Sequence, residues 1–398
     1  MKITRSAIAL LFLLALPAGA AEPSLDAAAL KLIPQRMREF VDRGDISGVV
    51  TLVGRNGRIA ALDAAGFADI ENKKEMRPDS IVQIMSQTKT VTGVAAMILV
   101  DEGLLDLTRP VQDYLPEFKG IQVAEKAADG SVKVHPPQHP PAVWELMCHS
   151  SGLGFLPEHG EFARINYTLD RTLAEAVRAY AGEKLVAEPG TKYLYSNMGI
   201  ASLGRIVEVL SGQKYEEFVQ RRILTPLEMS DTFYFPPDGK KARIAMIYTP
   251  DGAGKLVLAR DKAQGGDPAN YRAGAKYPGP ELGLFSTASD LFNFYSMLAN
   301  RGVFHGKRIL SAQAVEAMAH DYTPDHRGYG LTMGVAEGTV PLLTLVNPGT
   351  FGHGGAFGTN GTVDAKNGLV TVFLPQMVGG NAKLALDVFT ALAEAAVQ

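Results

Sequence analysis

Cysteine is almost missing from this chain: of 398 residues, only Cys148 is one. A single thiol excludes an intramolecular disulfide framework and any cysteine-rich zinc module. Cys148 itself reads as a small buried hydrophobe rather than a nucleophile. An excess of charge of either sign is lacking too. Lys and Arg number 39 against 42 for Asp and Glu, a net of -3, with a pI near 6.3. No Lys- or Arg-rich block appears, so there is no electrostatic case for nucleic acid or an anionic membrane surface as partner. No apolar run reaches the length of a bilayer-spanning helix. The His-Glu-x-x-His and Gly-x-Ser-x-Gly signatures are both absent, which removes the common zinc hydrolases and the α/β-hydrolase elbow. His135 and His139 are four apart, but Pro136, Pro137, Pro140 and Pro141 keep them off a shared helix face, and no metal pair is read there. No metal and no cofactor are expected.

What is present begins with an export signal. Lys2 and Arg5 precede an apolar stretch from Ala7 to Leu16 and the small-residue run Ala18-Gly19-Ala20, the order of a cleaved leader. Residues 1–20 are therefore expected to be removed, leaving a periplasmic or secreted protein from Ala21 or Glu22 onward. No cysteine stands directly after the apolar stretch, so no lipid anchor is expected. Ordinary fractions of hydrophobic (46%) and charged (20%) residues suit a globular body with a large core.

Leu30, Ile33, Met37, Phe40 and Val41 form one face of a helix ending near Gly44. Gly48–Val53 and Ile59–Ala65 read as strands joined through Asn56-Gly57, a strong hairpin signal. Asp129-Gly130 marks a smaller hairpin, followed by a proline-stiffened loop. From Trp144 to about Leu227 the pattern is mostly helical, clearest over Leu173–Tyr180 and Ile200–Leu210. Gly352–Val363 and Leu369–Phe373 are strand-like, and an amphipathic helix is expected from about Ala382 to Ala396. Strands at both chain ends around a helical middle suggest one sheet with the helical region inserted into it.

Three short stretches carry chemistry. In Met85-Ser86-Gln87-Thr88-Lys89, a serine and a lysine three apart open an amphipathic helix and share one face, so Lys89 Nζ reaches Ser86 Oγ. A lysine of lowered pKa can activate a serine as a nucleophile; alone, the pair also fits a capping serine and a solvated lysine. Tyr193-Leu194-Tyr195-Ser196-Asn197 follows the Pro189-Gly190 turn. A phenol of depressed pKa can shuttle protons and an asparagine can orient a lysine and a carbonyl; a core aromatic beside a helix cap fits equally. Phe351-Gly352-His353-Gly354-Gly355-Ala356 is a glycine-dense strand edge, suited either to close approach of a substrate carbonyl or to a bulge.

Taken together, Ser86-x-x-Lys89, Tyr195-Ser196-Asn197 and His353-Gly354-Gly355 resemble the three motifs of the serine β-lactamase and penicillin-binding-protein superfamily. The tyrosine form of the second motif is similar to the class C branch and its esterase relatives. Leu146-Met147-Cys148-His149-Ser150-Ser151-Gly152-Leu153 and Gly283–Leu291 extend the likeness from about Phe40 to the C-terminus. The resemblance implies an α+β fold, an antiparallel sheet flanked by helices with an inserted, mostly helical subdomain at about 86–290, within a hydrolase domain spanning 21–398. It implies Ser86 as acylated nucleophile, Lys89 and Tyr195 as its proton relay, and Asn197, His353, Gly354 and Gly355 as substrate-positioning groups. The N–H groups of Ser86 and Ala356 would form the oxyanion hole, and His149 would be structural.

One departure bears on substrate. Lactamases and cell-wall peptidases carry Lys-Thr-Gly where this chain has His353-Gly354-Gly355, so the anchor for a carboxylate is weakened. The expected function is hydrolysis of a small-molecule ester, most simply a short-acyl one, through an acyl-enzyme. β-Lactamase or D-amino-acid peptidase activity on an amide is the nearest alternative, and a catalytically dead binding relative the next. The oligomeric state is not legible in the chain.

Overall fold

The computed structural model describes residues 25–126, 129–156, 168–260, 264–336 and 346–398. The leader assigned to residues 1–20 lies outside the described residues. Strand β1 (Gly48–Arg55) and strand β2 (Arg58–Asp69) are joined by Asn56 and Gly57, both at positive φ (49° and 75°). That pair of left-handed residues matches the strand twist in a two-residue hairpin. β1 then pairs on its other edge with Leu369–Pro375, Val49 opposite Pro375 and Arg55 opposite Leu369. The full sheet has seven strands in the order Gly334–Val335, Phe351–Gly354, Asn360–Asp364, Leu369–Pro375, β1, β2 and Lys74–Glu75. Every neighbouring pair is antiparallel.

Alternation along β1 sends side chains to two cores. Val49 and Val53 pack with Leu30, Ile33, Met37 and Phe40 of the first helix, α1 (Ala27–Asp42), and with Phe389 of the terminal helix Ala382–Ala395. Val50 and Leu52 face the opposite way, into a larger core with Val91, Val94, Phe292 and Tyr295. A central strand covered on both faces needs small or apolar residues, which Gly48–Gly54 supplies apart from the buried Thr51.

Helix α2 (Thr88–Asp101) departs from the expected amphipathic pattern. Every residue from Thr88 to Leu99 is buried. Its threonines and glycine are small enough to be enclosed, and the hydroxyls find partners on distant segments: Thr92 Oγ1 donates to Pro280 O at 2.5 Å, Thr90 Oγ1 to Thr332 O at 3.2 Å, and Thr88 Oγ1 accepts from Leu284 N–H at 3.2 Å. The expected strand over 352–363 is also two strands, Phe351–Gly354 and Asn360–Asp364, around a turn at 355–359. The hairpin Val123–Lys126 with Val132–His135, and the helices Leu173–Tyr180 and Asn197–Ser211, stand where the pattern put them. Among the described residues, no helix is long and apolar enough to cross a membrane.

Candidate active site

Met85 adopts φ 50°, a left-handed conformation uncommon outside glycine. The chain turns there through Met85–Gln87 and enters α2 at Thr88. Ser86 therefore precedes the helix by two residues, and Lys89 follows one turn later, fully buried. Lys89 Nζ lies 3.2 Å from Ser86 Oγ, 2.8 Å from Asn197 Oδ1 and 2.9 Å from Glu281 O. An ammonium uses all three protons in this arrangement. A neutral amine keeps the bonds to Asn197 and Glu281 and turns its lone pair toward the Ser86 hydroxyl. Burial favours the second state and pushes the Lys89 pKa down to about 7, partly offset by the Glu281 carboxylate.

Asn197 reaches Lys89 because Ser196, not Asn197, caps the helix. Ser196 Oγ accepts from Gly199 N–H at 2.9 Å, so the Asn197 amide stays free to face inward. Tyr195 stands half-buried on the other side, its ring centroid 4.7 Å from Lys89 Nζ. Its phenol is not depressed, contrary to the sequence expectation. Burial pushes it well above the ordinary tyrosine value, and a hydrogen bond with Ser86 only partly opposes this. The resting residue is thus a neutral phenol.

The glycine-rich strand closes the site. Thr359 Oγ1 donates to Ile84 O at 2.9 Å. A Cβ on Gly355 would overlap both Ile84 O and Thr359 Oγ1, so a bare backbone is required for the 355–359 turn to lie against the Ser86 turn. Ser86 and Ala356 thereby stand on adjoining turns.

His353 is tied into a chain of side chains that motif spacing does not show. Ser196 N–H donates to His149 Nδ1 at 3.1 Å, which leaves the proton of His149 on Nε2. That N–H faces Tyr329 Oη at 3.2 Å, and the Tyr329 O–H in turn faces His353 Nε2 at 2.9 Å. His353 Nδ1 carries the remaining proton and donates to Gly354 O at 2.6 Å. One consistent assignment keeps both imidazoles neutral. Burial, with the Lys89 charge second, pushes His353 down to about 3 and His149 well below its usual range. Both nitrogens of the half-buried His353 ring are engaged, so a direct bond to substrate requires one of these to be given up.

Two residues at the site escaped sequence reasoning. Glu281 is fully buried; its carboxylate accepts from Tyr277 Oη at 3.1 Å, and burial raises its pKa. Tyr329 carried no signal beyond its flanking glycines. Cys148 is buried with its thiol pushed up to about 11, which removes it as a nucleophile.

A buried lysine one turn after a serine, on a helix packed against a seven-stranded antiparallel sheet, is an arrangement suited to a serine hydrolase. The Beta-lactamase family model matches residues 33–395, and the chain belongs to that family. Protein Rv1367c of Mycobacterium tuberculosis is 31% identical over 364 residues, covering 85% of this chain and 88% of its own. Esterase EstB of Burkholderia gladioli is 28% identical over 377 residues, covering 88% and 91%. Among solved structures, EstCE1, a hydrolase with promiscuous acyltransferase activity, matches with a TM-score of 0.75 at 24% identity, covering 91% of this chain and 98% of that one. That last likeness concerns the fold.

Proposed function

We propose that the chain is a carboxylesterase that hydrolyses neutral, short-acyl esters through an acyl-enzyme on Ser86. The observation that carries this is the contact set of Lys89: a buried amine with its pKa lowered to about 7, whose neutral form directs a lone pair toward Ser86 Oγ. Lys89 takes the serine proton as Oγ bonds to the ester carbonyl carbon. The carbonyl oxygen becomes an oxyanion and is met by the Ser86 and Ala356 N–H groups. As the tetrahedral intermediate collapses, the Tyr195 hydroxyl protonates the departing alkoxide and is re-protonated from Lys89. Water then repeats the sequence on the acyl-enzyme and releases the acid. Tyr195 suits this role as a neutral donor that ionises only in passing.

Substrate class follows from what stands at the third motif. His353 is uncharged and already bonded on both nitrogens, and Gly354 has no hydroxyl. A substrate carboxylate finds no cation there, whereas a neutral ester asks for none. The likeness to the esterase EstB supports the same reading. Export to the periplasm or medium, read from residues 1–20, is part of this proposal. A fluorophosphonate should label the wild type and leave Ser86→Ala unlabelled. A p-nitrophenyl ester should then be turned over with a higher kcat/KM than a chromogenic cephalosporin. Labelling that survives the Ser86 change, or a preference for the cephalosporin, overturns the proposal.

A further inference from the structure

We infer that the cavity beside Tyr195 is the subsite for the alcohol half of the ester, and that it selects apolar alcohols of medium length, or arylalkyl ones, over small or charged ones. This rests on the esterase reading of Ser86 and Tyr195. Ten large apolar side chains are exposed among the described residues, and four of them, Val132, Val134, Phe155 and Val186, line this one cavity. Singly exposed apolar residues are ordinary, but four converging on one space mark a binding surface. Val132 and Val134 are two apart on the outer strand of a hairpin, so both face the same side. Solvent alone would favour polar residues there. The cavity measures about 880 Å³, within the range of small-molecule sites.

The walls are fixed by backbone bonds. Ala124 N–H donates to Leu185 O and Leu185 N–H to Gln122 O, both at 2.8 Å, while Val186 N–H donates to Gly152 O at 2.8 Å. The floor belongs to the catalytic region: Tyr195 and Met198 line the cavity, and the Phe155 ring centroid lies 6.1 Å from that of Tyr195. This continuity decides which half of the substrate enters. The carbonyl oxygen turns toward the Ala356 N–H, while the leaving oxygen must approach the Tyr195 hydroxyl that protonates it. Carbon attached to the leaving oxygen therefore continues along the Tyr195 ring toward Phe155 and the valines. Glu183 and Lys184 sit side by side at the cavity. Their opposite charges give no net attraction for a charged alcohol.

Two ester series test this: acetates of alcohols from methyl to octyl with 3-phenylpropyl and choline, and ethyl esters of acids lengthened in step. In the wild type, kcat/KM should rise roughly two- to fourfold per methylene of the alcohol until the cavity is filled. Choline acetate should gain nothing, and lengthening the acid should give no comparable gradient. Gly154 lines the floor without a left-handed φ, and a Cβ there would meet only Met198 Cε at 3.6 Å and Leu156 O at 4.0 Å. Gly154→Leu should flatten the alcohol series to within about twofold, an effect of filling the space that each methylene would occupy. Val134→Asp, a surface change that keeps the test alive if Gly154→Leu misfolds, should lower the octyl-to-methyl ratio at least several-fold. A flat alcohol series, a gradient carried by the acid instead, or a steep series indifferent to both variants overturns the assignment while leaving ester hydrolysis intact. Absence of turnover in both series and of Ser86 labelling would instead strike the esterase reading. Calorimetric titration of Ser86→Ala with 3-phenylpropyl acetate then decides occupancy without chemistry. Binding lost on adding Gly154→Leu supports the subsite, and equal or absent binding overturns it.

Discussion

The Tyr329 hydroxyl lies 2.9 Å from His353 Nε2, although the two residues sit on separate segments, and it also meets His149 Nε2 at 3.2 Å. Tyr329→Phe keeps the ring and removes the oxygen that joins the two imidazoles. It leaves one donor and one acceptor without a protein partner. Burying such groups unpaired costs about 1–3 kcal/mol. Urea denaturation should report a loss of that size in Tyr329→Phe; a variant as stable as the wild type would show that the chain of bonds contributes nothing net.

The pH dependence should come from Lys89 and not from either histidine. Its folded-state pKa is lowered to about 7 by burial, so the neutral amine that the proposed mechanism uses as base accumulates as pH rises through 7. On a neutral ester, kcat/KM should therefore climb through that region and stay high above it. His353, pushed down to about 3, cannot add a second limb there. The Glu281 carboxylate favours the ammonium form of Lys89. Glu281→Gln should therefore lower the Lys89 pKa and move the acid limb to lower pH. A pH–rate profile of both proteins checks the sign, and an upward shift would contradict it.

Removing either member of the proposed Lys89–Tyr195 relay should affect turnover more than binding. Lys89→Ala and Tyr195→Phe should each lower kcat by on the order of a hundredfold or more, the usual contribution of general acid–base catalysis. KM should change far less. Burst kinetics with a p-nitrophenyl ester separate the two steps. Near wild-type turnover in Tyr195→Phe would take the phenol out of the mechanism.

Phe389 tests the core on the α1 side of the sheet. It is fully buried and stacks on Phe373 with centroids 5.6 Å apart. Phe389→Ala opens a cavity between the terminal helix and the sheet, and should cost about 3–5 kcal/mol by urea denaturation. The site lies on the other face, so the folded variant should keep the kcat of the wild type.

What could be read from the chain was local. Ser86 and Lys89 are one helical turn apart, Tyr195 and Asn197 two residues apart, and Asn56-Gly57 makes a hairpin by itself. Each signal needs only a few neighbouring residues. What could not be read depends on the interior. Lys89 is 192 positions from Glu281, whose carbonyl it binds, and no spacing rule links them. The phenol of Tyr195 reads as a shuttle in sequence, but its pKa depends on burial supplied by distant elements. The 352–363 run looked continuous because glycine carries little pattern. A Gly355–Thr359 turn pressed against Ile84 is decided by contact, not by alternation. Helix α2 appeared two-faced because threonine counts as polar, yet its hydroxyls are satisfied inside the protein.

The pairing of β1 with Leu369–Pro375 sets an order of events. Residue 49 cannot meet residue 375 until nearly the whole chain has been made. A nascent chain can form the β1–β2 hairpin and local helices early, but one edge of β1 stays open throughout synthesis. Such long-range closure is slow and leaves unpaired edges for partners to hold. The strand bearing His353 and the turn bearing Ala356 join the sheet through that same closure, by way of Asn360–Asp364. Ser86 and Lys89 can therefore stand together on their helix well before the side of the site that would receive the oxyanion exists. On the proposed mechanism activity should appear only with the last strands, so an incomplete chain would carry Ser86 and Lys89 without being able to use them.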